Sequence, residues 1–208
     1  MALLHVDDAV AAVVLAAGQG RRLGRGPKAF VRIGGQTLLE RATARLKRAG
    51  VTLVVAVLPP GPDPVALPDD LVIVRNPRWE SGPLGSACLG VAGLPPGVRR
   101  VLLYPVDHHA VTDEDVLQVL AGIHSAPRGT ARVVPRYEGR GGHPVALLPA
   151  AVSALGAVDD PDSTTLRAVL DAAGDVHHVD GVGPGVRQNL NTQTDLPPGE
   201  RSLATEPQ

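Results

Sequence analysis

The chain has 208 residues, a formal net charge of −1 and one cysteine, Cys88. This length suits a single α/β domain, and the near-neutral charge with dispersed arginines argues against a nucleic-acid partner. One cysteine excludes an intramolecular disulfide and a metal site built from several cysteines. The apolar run 9–17 is too short to span a bilayer and follows Asp7-Asp8, not a basic leader. We therefore expect a soluble, cytoplasmic protein with no membrane partner.

Strands and helices alternate along the chain. Continuous apolar runs predict strands, and apolar residues at three- and four-residue spacing predict helices. In chain order we expect a strand at 10–15, a helix at 36–49 closed by Gly50, strands at 53–58 and 71–74, a helix at 84–93, a strand at 100–104, a helix from the cap Thr112 to about residue 124, strands at 131–136 and 144–148, a helix at 163–173 and a strand at 176–179. On the helix after Thr112, the residues expected to face inward are Val116, Leu117, Leu120 and Ile123.

This alternation predicts one α/β domain with a mostly parallel sheet and flanking helices. We expect the domain to span residues 1–196 and the Pro- and Glu-containing tail, 197–208, to be disordered. Ligands of such sheets bind beyond the carboxyl ends of the strands. Polar residues follow several of the predicted strands, so that edge is where we look for a site.

The first predicted strand leads into a glycine-rich segment: Leu15-Ala16-Ala17-Gly18-Gln19-Gly20-Arg21-Arg22-Leu23-Gly24, with Lys28 after it. Gly18 and Gly20 can take positive φ, and backbone N–H groups in such loops can point at phosphate oxygens. Arg21, Arg22 and Lys28 would supply the countercharge. The pattern is typical of a phosphate-binding loop and, equally, of an ordinary glycine-rich turn with solvated arginines.

Oxygen-bearing side chains follow other predicted strands. Asp107 comes just after the fourth strand, where a carboxylate can hold Mg²⁺ against phosphates or simply cap a turn. Asn189 and Asn191 alternate, so in an extended segment both would face one way and could bind a metal or a ribose; local Asx-turn bonding is the alternative. Asn76 and Ser86 offer further polar groups at the same rim.

Histidines and a second glycine-rich loop lie near these positions. His108 and His109 follow Asp107, but adjacent side chains point apart, so one metal rarely takes both. The loop 139–144 carries Arg140 and His143, which could touch an anionic or polar acceptor. A simple hairpin turn explains that loop almost as well.

Together these motifs resemble the nucleotidyltransferase family that includes the molybdenum-cofactor cytidylyl- and guanylyltransferases. The signature loop is similar to residues 15–28, the asparagine–tryptophan–glycine segment to 76–82, and the glycine–histidine–proline strand to 142–145. Val106-Asp107 stands where the family has its metal-binding aspartate, and 189–196 resembles the closing motif. The matches follow one another in the family's order.

The resemblance implies a fold of the nucleotide-diphospho-sugar-transferase type and transfer of a nucleoside monophosphate from an NTP to a phosphorylated acceptor, with release of pyrophosphate. It implies catalytic roles for Arg22, Lys28 and Asp107, and Mg²⁺ as cofactor on Asp107 and Asn191. The implied nucleotide-binding residues are Leu15, Ala16, Ala17, Gly18, Gly20, Arg21, Arg22, Lys28, Asn76, Ser86, Asn189 and Asn191. Those on the acceptor side are His108, Arg140 and His143. Contact with molybdoenzymes or their chaperones is a further implied partnership.

The sequence departs from the family pattern after Asp107, where a proline-containing segment is usual and His108-His109-Ala110-Val111 stands here. The Ala-Ala-Gly form of the loop resembles the cytidylyl branch, whereas the closing Asn-x-Asn-Thr resembles the guanylyl branch. We expect CTP and molybdopterin as substrates. A sugar or polyol phosphate is the alternative acceptor, and a non-catalytic nucleotide- or cofactor-binding partner protein is the alternative function.

Overall fold

The computed structural model describes residues 9–68 and 70–203. Its strands are β1 Val10–Leu15, β2 Arg32–Ile33, β3 Gln36–Thr37, β4 Val54–Leu58, β5 Val72–Arg75, β6 Arg100–Pro105, β7 Thr130–Tyr137, β8 Arg140–Gly141, β9 Val145–Leu147 and β10 Asp175–Val179. Its helices are α1 Leu38–Arg48, α2 Pro83–Ala92, α3 Asp113–Ser125, α4 Pro149–Gly156 and α5 Leu166–Ala172. The predicted α/β architecture is confirmed.

The main sheet has the strand order β10-β7-β9-β6-β1-β4-β5. Neighbours β5, β4, β1 and β6 run parallel, as do β10 and β7. Strand β9 lies antiparallel between β6 and β7, and β8 forms a hairpin with the end of β7. The carboxyl ends of β1, β5 and β6 therefore meet at one edge, as expected for a ligand-binding edge.

Helices cover both faces of the sheet. Alternate residues of β1 serve the two faces, with Val14 in the cluster packed by α1 and α3 and Val13 in the cluster packed by α2, α4 and α5. Both valines are fully buried. A strand covered on both faces must be apolar at every position, which is why β1 is a continuous apolar run.

The helix boundaries differ from the prediction at several points. Helix α1 begins at Leu38, not residue 36, because Gln36–Thr37 pairs with β2 and Thr37 caps the helix through a capping box with Glu40. Gly50 follows the helix with φ 88°, as expected of a C′ glycine. Thr112 caps α3 as predicted, through a capping box with Asp115.

The expectations for two later helices are corrected, and one further helix was not predicted. Leu117 does not face inward: it is 45% exposed, and Val119 is buried instead. Helix α4 was not predicted, because its run of small residues carries little amphipathic signal, and α5 begins at Leu166 after the cap Thr165. Within the tail, Pro198–Leu203 forms a short 3₁₀ helix, and 204–208 lie outside the described residues.

Candidate active site

The glycine-rich loop leaves β1 and returns on itself before Lys28. The backbone N–H of Lys28 donates to the carbonyl of Gly18 at 2.8 Å, which closes the loop. Gly20 has φ 61°, and a Cβ there would lie 2.5 Å from the carbonyl oxygen of Gly26, so the position requires glycine. Gly18, in contrast, does not adopt the positive φ that its sequence allowed. Ala17, which precedes Gly18, is buried.

Three candidate residues from distant segments meet at one point. The Nζ atom of Lys28 lies 2.7 Å from Oδ2 of Asp107 and 2.8 Å from Oδ1 of Asn191. The side chains of Lys28 and Asp107 are only 15% and 18% exposed. The backbone N–H of Leu190 donates to the carbonyl of Asp107 at 2.9 Å, so the closing segment is fastened to the loop after β6. The structure thus brings a cation and two side-chain oxygens together.

The two arginines of the loop have different surroundings. Arg21 donates to Glu80 at 2.6 Å, and its guanidinium lies 5.6 Å from the centroid of the Trp79 ring. This contact joins the glycine-rich loop to the segment between β5 and α2, and the sequence did not single out Glu80. Arg22 is exposed and makes no hydrogen bond or ion pair with the residues the structure describes. Of the two, Arg22 is the one whose donors remain available for an anion.

Asn76 and Ser86 support each other. Asn76 is 2% exposed, its amide donates to the hydroxyl of Ser86 at 2.9 Å, and its carbonyl oxygen accepts from the backbone N–H of Arg78 at 2.9 Å. Both polar ends of this carboxamide are therefore used within the protein. The pair orders the start of the segment that carries Trp79 and Glu80.

The two asparagines of the closing segment, Asn189 and Asn191, lie in different surroundings. Asn191 reaches Lys28, whereas Asn189 is exposed and lines a separate polar cleft of about 360 Å³ with His109 and Arg187. Asp195 accepts hydrogen bonds from the backbone N–H groups of Asn191 and Thr192, and these bonds lower the pKa of its carboxyl group.

His108 and His143 form an edge-to-face pair beside this point. Their ring centroids lie 4.7 Å apart, and the Nδ1 atom of each is buried without a hydrogen-bond partner among the described residues. Burial lowers the pKa of His108 and lowers that of His143 to about 4. Both rings are therefore neutral at neutral pH. The backbone N–H of His143 donates to the carbonyl of Val186 at 2.8 Å, and Gly142 must be glycine because a Cβ would meet that same carbonyl at 2.4 Å.

His143 also lines a cleft of about 550 Å³. Pro83 at the start of α2, Val145 of β9 and Leu170 of α5 form apolar parts of its wall. Arg132 also lines it, with its guanidinium held by the Leu170 carbonyl and Asp171. Arg140, the other predicted acceptor residue, is exposed on β8 and does not line this cleft.

The doubly covered sheet, the glycine-rich loop and the Lys28–Asp107–Asn191 cluster define an α/β protein of the nucleotidyltransferase class. The profile of the MobA-like NTP transferase domain matches residues 12–179, and the chain belongs to that family. The family expectation from the sequence is confirmed. In the part of the chain from 9 to 203 that the structure describes, no helix has the length and apolarity to cross a membrane.

Solved structures share the fold. The Rv0371c homologue from Mycobacterium sp. strain JC1 superimposes with a TM-score of 0.73 at 24% identity, covering 92% of this chain and 94% of that one. Rv0371c from Mycobacterium tuberculosis H37Rv, solved in complex with manganese, gives a TM-score of 0.68 at 21% identity, covering 90% and 95%.

Curated relatives carry two kinds of name. The chain is 32% identical over 171 residues to 2-C-methyl-D-erythritol 4-phosphate cytidylyltransferase of Rhodococcus opacus, covering 79% of this chain and 70% of the relative. It is 34% identical over 145 residues to nicotine blue oxidoreductase of Paenarthrobacter nicotinovorans, covering 66% and 70%. The cytidylyltransferase of Thermus thermophilus matches at 53% identity over 55 residues, which is 26% of this chain and only a quarter of that protein.

Proposed function

We propose that this protein transfers CMP from CTP to a phosphorylated small molecule in a reaction that depends on a divalent metal and releases pyrophosphate. The observation that carries the proposal is the meeting of Lys28 with Asp107 and Asn191 at the carboxyl edge of the sheet. A cation, a carboxylate and an amide oxygen beside a glycine-rich loop are the groups that a metal-bound triphosphate requires.

The donor set fits Mg²⁺. Asp107 offers a carboxylate and Asn191 an amide oxygen, both hard ligands of the kind that Mg²⁺ takes together with phosphate oxygens and water. The same two oxygens already hold the ammonium of Lys28, so the position suits positive charge. When bound there, Mg²⁺ would neutralise charge that develops on the phosphates.

The protein's own residues would position the triphosphate and neutralise the charge on its leaving group. In the proposed reaction an oxygen of the acceptor phosphate attacks the α-phosphorus, a new P–O bond forms, and the bond to the bridging oxygen of the β-phosphate breaks as pyrophosphate leaves. Arg22 and Lys28 would offset the charge that grows on the leaving group, and the loop around Gly20 would hold the triphosphate in line. The acceptor phosphate is already ionised at neutral pH, so no general base is needed.

The 550 Å³ cleft is our candidate for the acceptor. His143, which lines it, also touches His108 next to Asp107, so this cleft adjoins the proposed metal position. Apolar wall residues such as Leu170 and Val145 favour a flat ring system with a phosphate arm, which supports molybdopterin as the acceptor.

A polyol phosphate is the second candidate acceptor. It is supported by the relatives in Rhodococcus opacus and Thermus thermophilus, which are named as cytidylyltransferases of 2-C-methyl-D-erythritol 4-phosphate. A polyol chain would need hydrogen bonds along its length, and the charged groups Arg132 and Asp171 at the cleft would be the source of some of them.

The test is pyrophosphate release by the purified protein with Mg²⁺, each of the four NTPs, and either molybdopterin or 2-C-methyl-D-erythritol 4-phosphate, with the product identified by mass spectrometry. We expect a CMP-linked product from one acceptor, lost in Asp107→Asn and kept in Asp180→Asn, whose carboxylate pairs with Arg136 on the surface. Reduction of nicotine blue without any need for an NTP, together with no pyrophosphate release, would replace the proposal with the activity for which the Paenarthrobacter relative is named.

A further inference from the structure

A hydrogen-bonded chain runs through the core to the loop that carries Asp107. Tyr104 lies in β6, is 1% exposed, and is the one fully buried side chain among the four tryptophan, tyrosine and phenylalanine residues of the protein. Its hydroxyl accepts a hydrogen bond from Nη1 of Arg45 at 3.0 Å and donates one to the backbone carbonyl of His108 at 3.1 Å. This series of hydrogen bonds thus ends at His108, the residue after Asp107.

Packing alone does not explain these polar groups. Arg45 is 8% exposed, and its Nε forms an ion pair with Asp113 at 3.6 Å but no hydrogen bond. Burying a guanidinium costs free energy, and an apolar side chain of similar volume is often equally stable or more so. Phenylalanine would likewise fill the space of the Tyr104 ring. Core packing and the ion pair with Asp113 do not account for the Tyr104 hydroxyl, whereas the carbonyl of His108 gives it a specific partner.

These hydrogen bonds connect the two segments that carry Lys28 and Asp107. Arg45 belongs to α1, and the first N–H of that helix, at Leu38, donates to the carbonyl of Val31 just after the segment of Lys28. At its other end, Tyr104 holds the loop of Asp107. Apart from Tyr104, the His108 carbonyl receives only a long 3.4 Å contact from the N–H of Val111 among the described residues.

We propose that Arg45 and Tyr104 are positioning residues that fix the loop of Asp107 relative to Lys28 through the His108 carbonyl. The inference rests on the proposed function for its catalytic consequence, but its effect on the loop does not. Groups that orient metal ligands from outside the coordination sphere commonly change metal affinity or activity by about 10- to 100-fold when removed.

The experiment compares Tyr104→Phe with Tyr137→Phe, a matched loss of one hydroxyl on β7. In Tyr104→Phe we expect hydrogen exchange of the amides in 107–111 to accelerate and kcat to fall about tenfold or more. The Mn²⁺ concentration for half-maximal turnover should rise by a similar factor, while KM for the NTP changes less than twofold. Tyr137→Phe should match the wild type in all four measurements.

A second variant separates positioning from general damage to the core. Arg45→Met should reproduce the exchange and Mn²⁺ effects, and the double variant should be little worse than either single one, because both break one chain. Unchanged exchange in 107–111 in both single variants would overturn the inference even if they lose stability, as would unaltered Mn²⁺ dependence in an active enzyme. If the wild-type protein lacks transferase activity but the variants still show faster exchange in 107–111, the proposed function is contradicted and the loop tether stands.

Discussion

The ammonium of Lys28 lies 2.7 Å from Oδ2 of Asp107, so the cation expected to bind the triphosphate is paired with the carboxylate expected to bind the metal. Asn191, the other expected ligand, holds the same ammonium. A divalent ion and Lys28 would therefore compete for these oxygens. The phosphates of a nucleotide offer Lys28 a second set of partners, which couples metal binding to nucleotide binding.

Replacing Lys28 with methionine should separate the two kinds of binding. Without the ammonium, Asp107 and Asn191 are available, and we expect Mn²⁺ alone to bind at least several-fold more tightly than in the wild type. NTPs should bind more weakly, each by about 1.5–3 kcal/mol, since a charge-assisted contact is lost. Electron paramagnetic resonance of free Mn²⁺, with and without nucleotide, measures both. Weaker binding of Mn²⁺ alone would contradict the competition.

Asp107→Asn should abolish metal-dependent turnover and leave the fold intact. The substitution keeps the side-chain shape but removes the charge that Lys28 and a metal both need, and Asp107 is only partly buried. We expect circular dichroism like that of the wild type and a loss of pyrophosphate release of at least 100-fold. A variant with wild-type fold and near wild-type release would refute the metal role.

Arg22→Ala should weaken all four NTPs by similar factors, because its free guanidinium is assigned to the triphosphate and not to the base. Arg21→Ala is the matched control: Arg21 is already paired with Glu80, so its loss should affect nucleotide affinity less. Binding constants from calorimetry for each NTP decide the point. Sparing of a single nucleotide in Arg22→Ala would show that this residue reads the base.

Gly20→Ala should damage the loop more than Gly26→Ala. Both positions have positive φ, 61° and 75°, so both substitutions carry the cost of a left-handed backbone. Only at Gly20 would the new methyl also meet a backbone oxygen, at 2.5 Å, whereas nothing lies within 4 Å of a Cβ at Gly26. We expect nucleotide affinity to fall at least tenfold further in Gly20→Ala, and equal losses in both variants would rule out the steric argument.

His143 should make the fold sensitive to acid. Its pKa is about 4 in the folded state against an ordinary 6.5, so the unfolded chain binds a proton first. The contribution of the neutral His143 ring to the free energy of unfolding is therefore fully present above pH 6.5. As the pH falls towards 4, the free energy of unfolding decreases by about 3 kcal/mol. Urea unfolding at pH 7 and 4 should show a smaller difference in His143→Gln than in the wild type, while His124→Gln on the surface of α3 leaves it unchanged. An unchanged difference in His143→Gln would contradict the burial of a neutral ring.

Base choice is expected to depend on Ala17. Ala17 is 6% exposed, and in the proposed site its methyl group would leave less room for a base than glycine would. A close-packed site resists the larger purine by about 1–3 kcal/mol. We expect CTP to be favoured over GTP by about 10- to 100-fold in kcat/KM, and Ala17→Gly to reduce that ratio. Equal use of both nucleotides by the unchanged protein would refute this argument without touching the transferase proposal.

Local patterns in the sequence were sufficient for much of the fold. The bounds of β1, the cap Thr112 and the C′ glycine Gly50 were all correct, because periodicity and capping depend on residues within a few positions of one another. The same patterns failed in α4, where small residues carry no periodic signal. They also placed the start of α1 too early, because Gln36 and Thr37 pair with β2 and are not helical.

Only the tertiary structure decided how the candidate site is assembled. Lys28 and Asn191 are separated by 163 positions, and their contact depends on the strand order that brings the end of β1 beside the end of β6. The sequence named both residues but assigned them different partners, and it did not single out Arg45. Burial and long-range hydrogen bonding arise from which surfaces pack together, so no local window of sequence contains them.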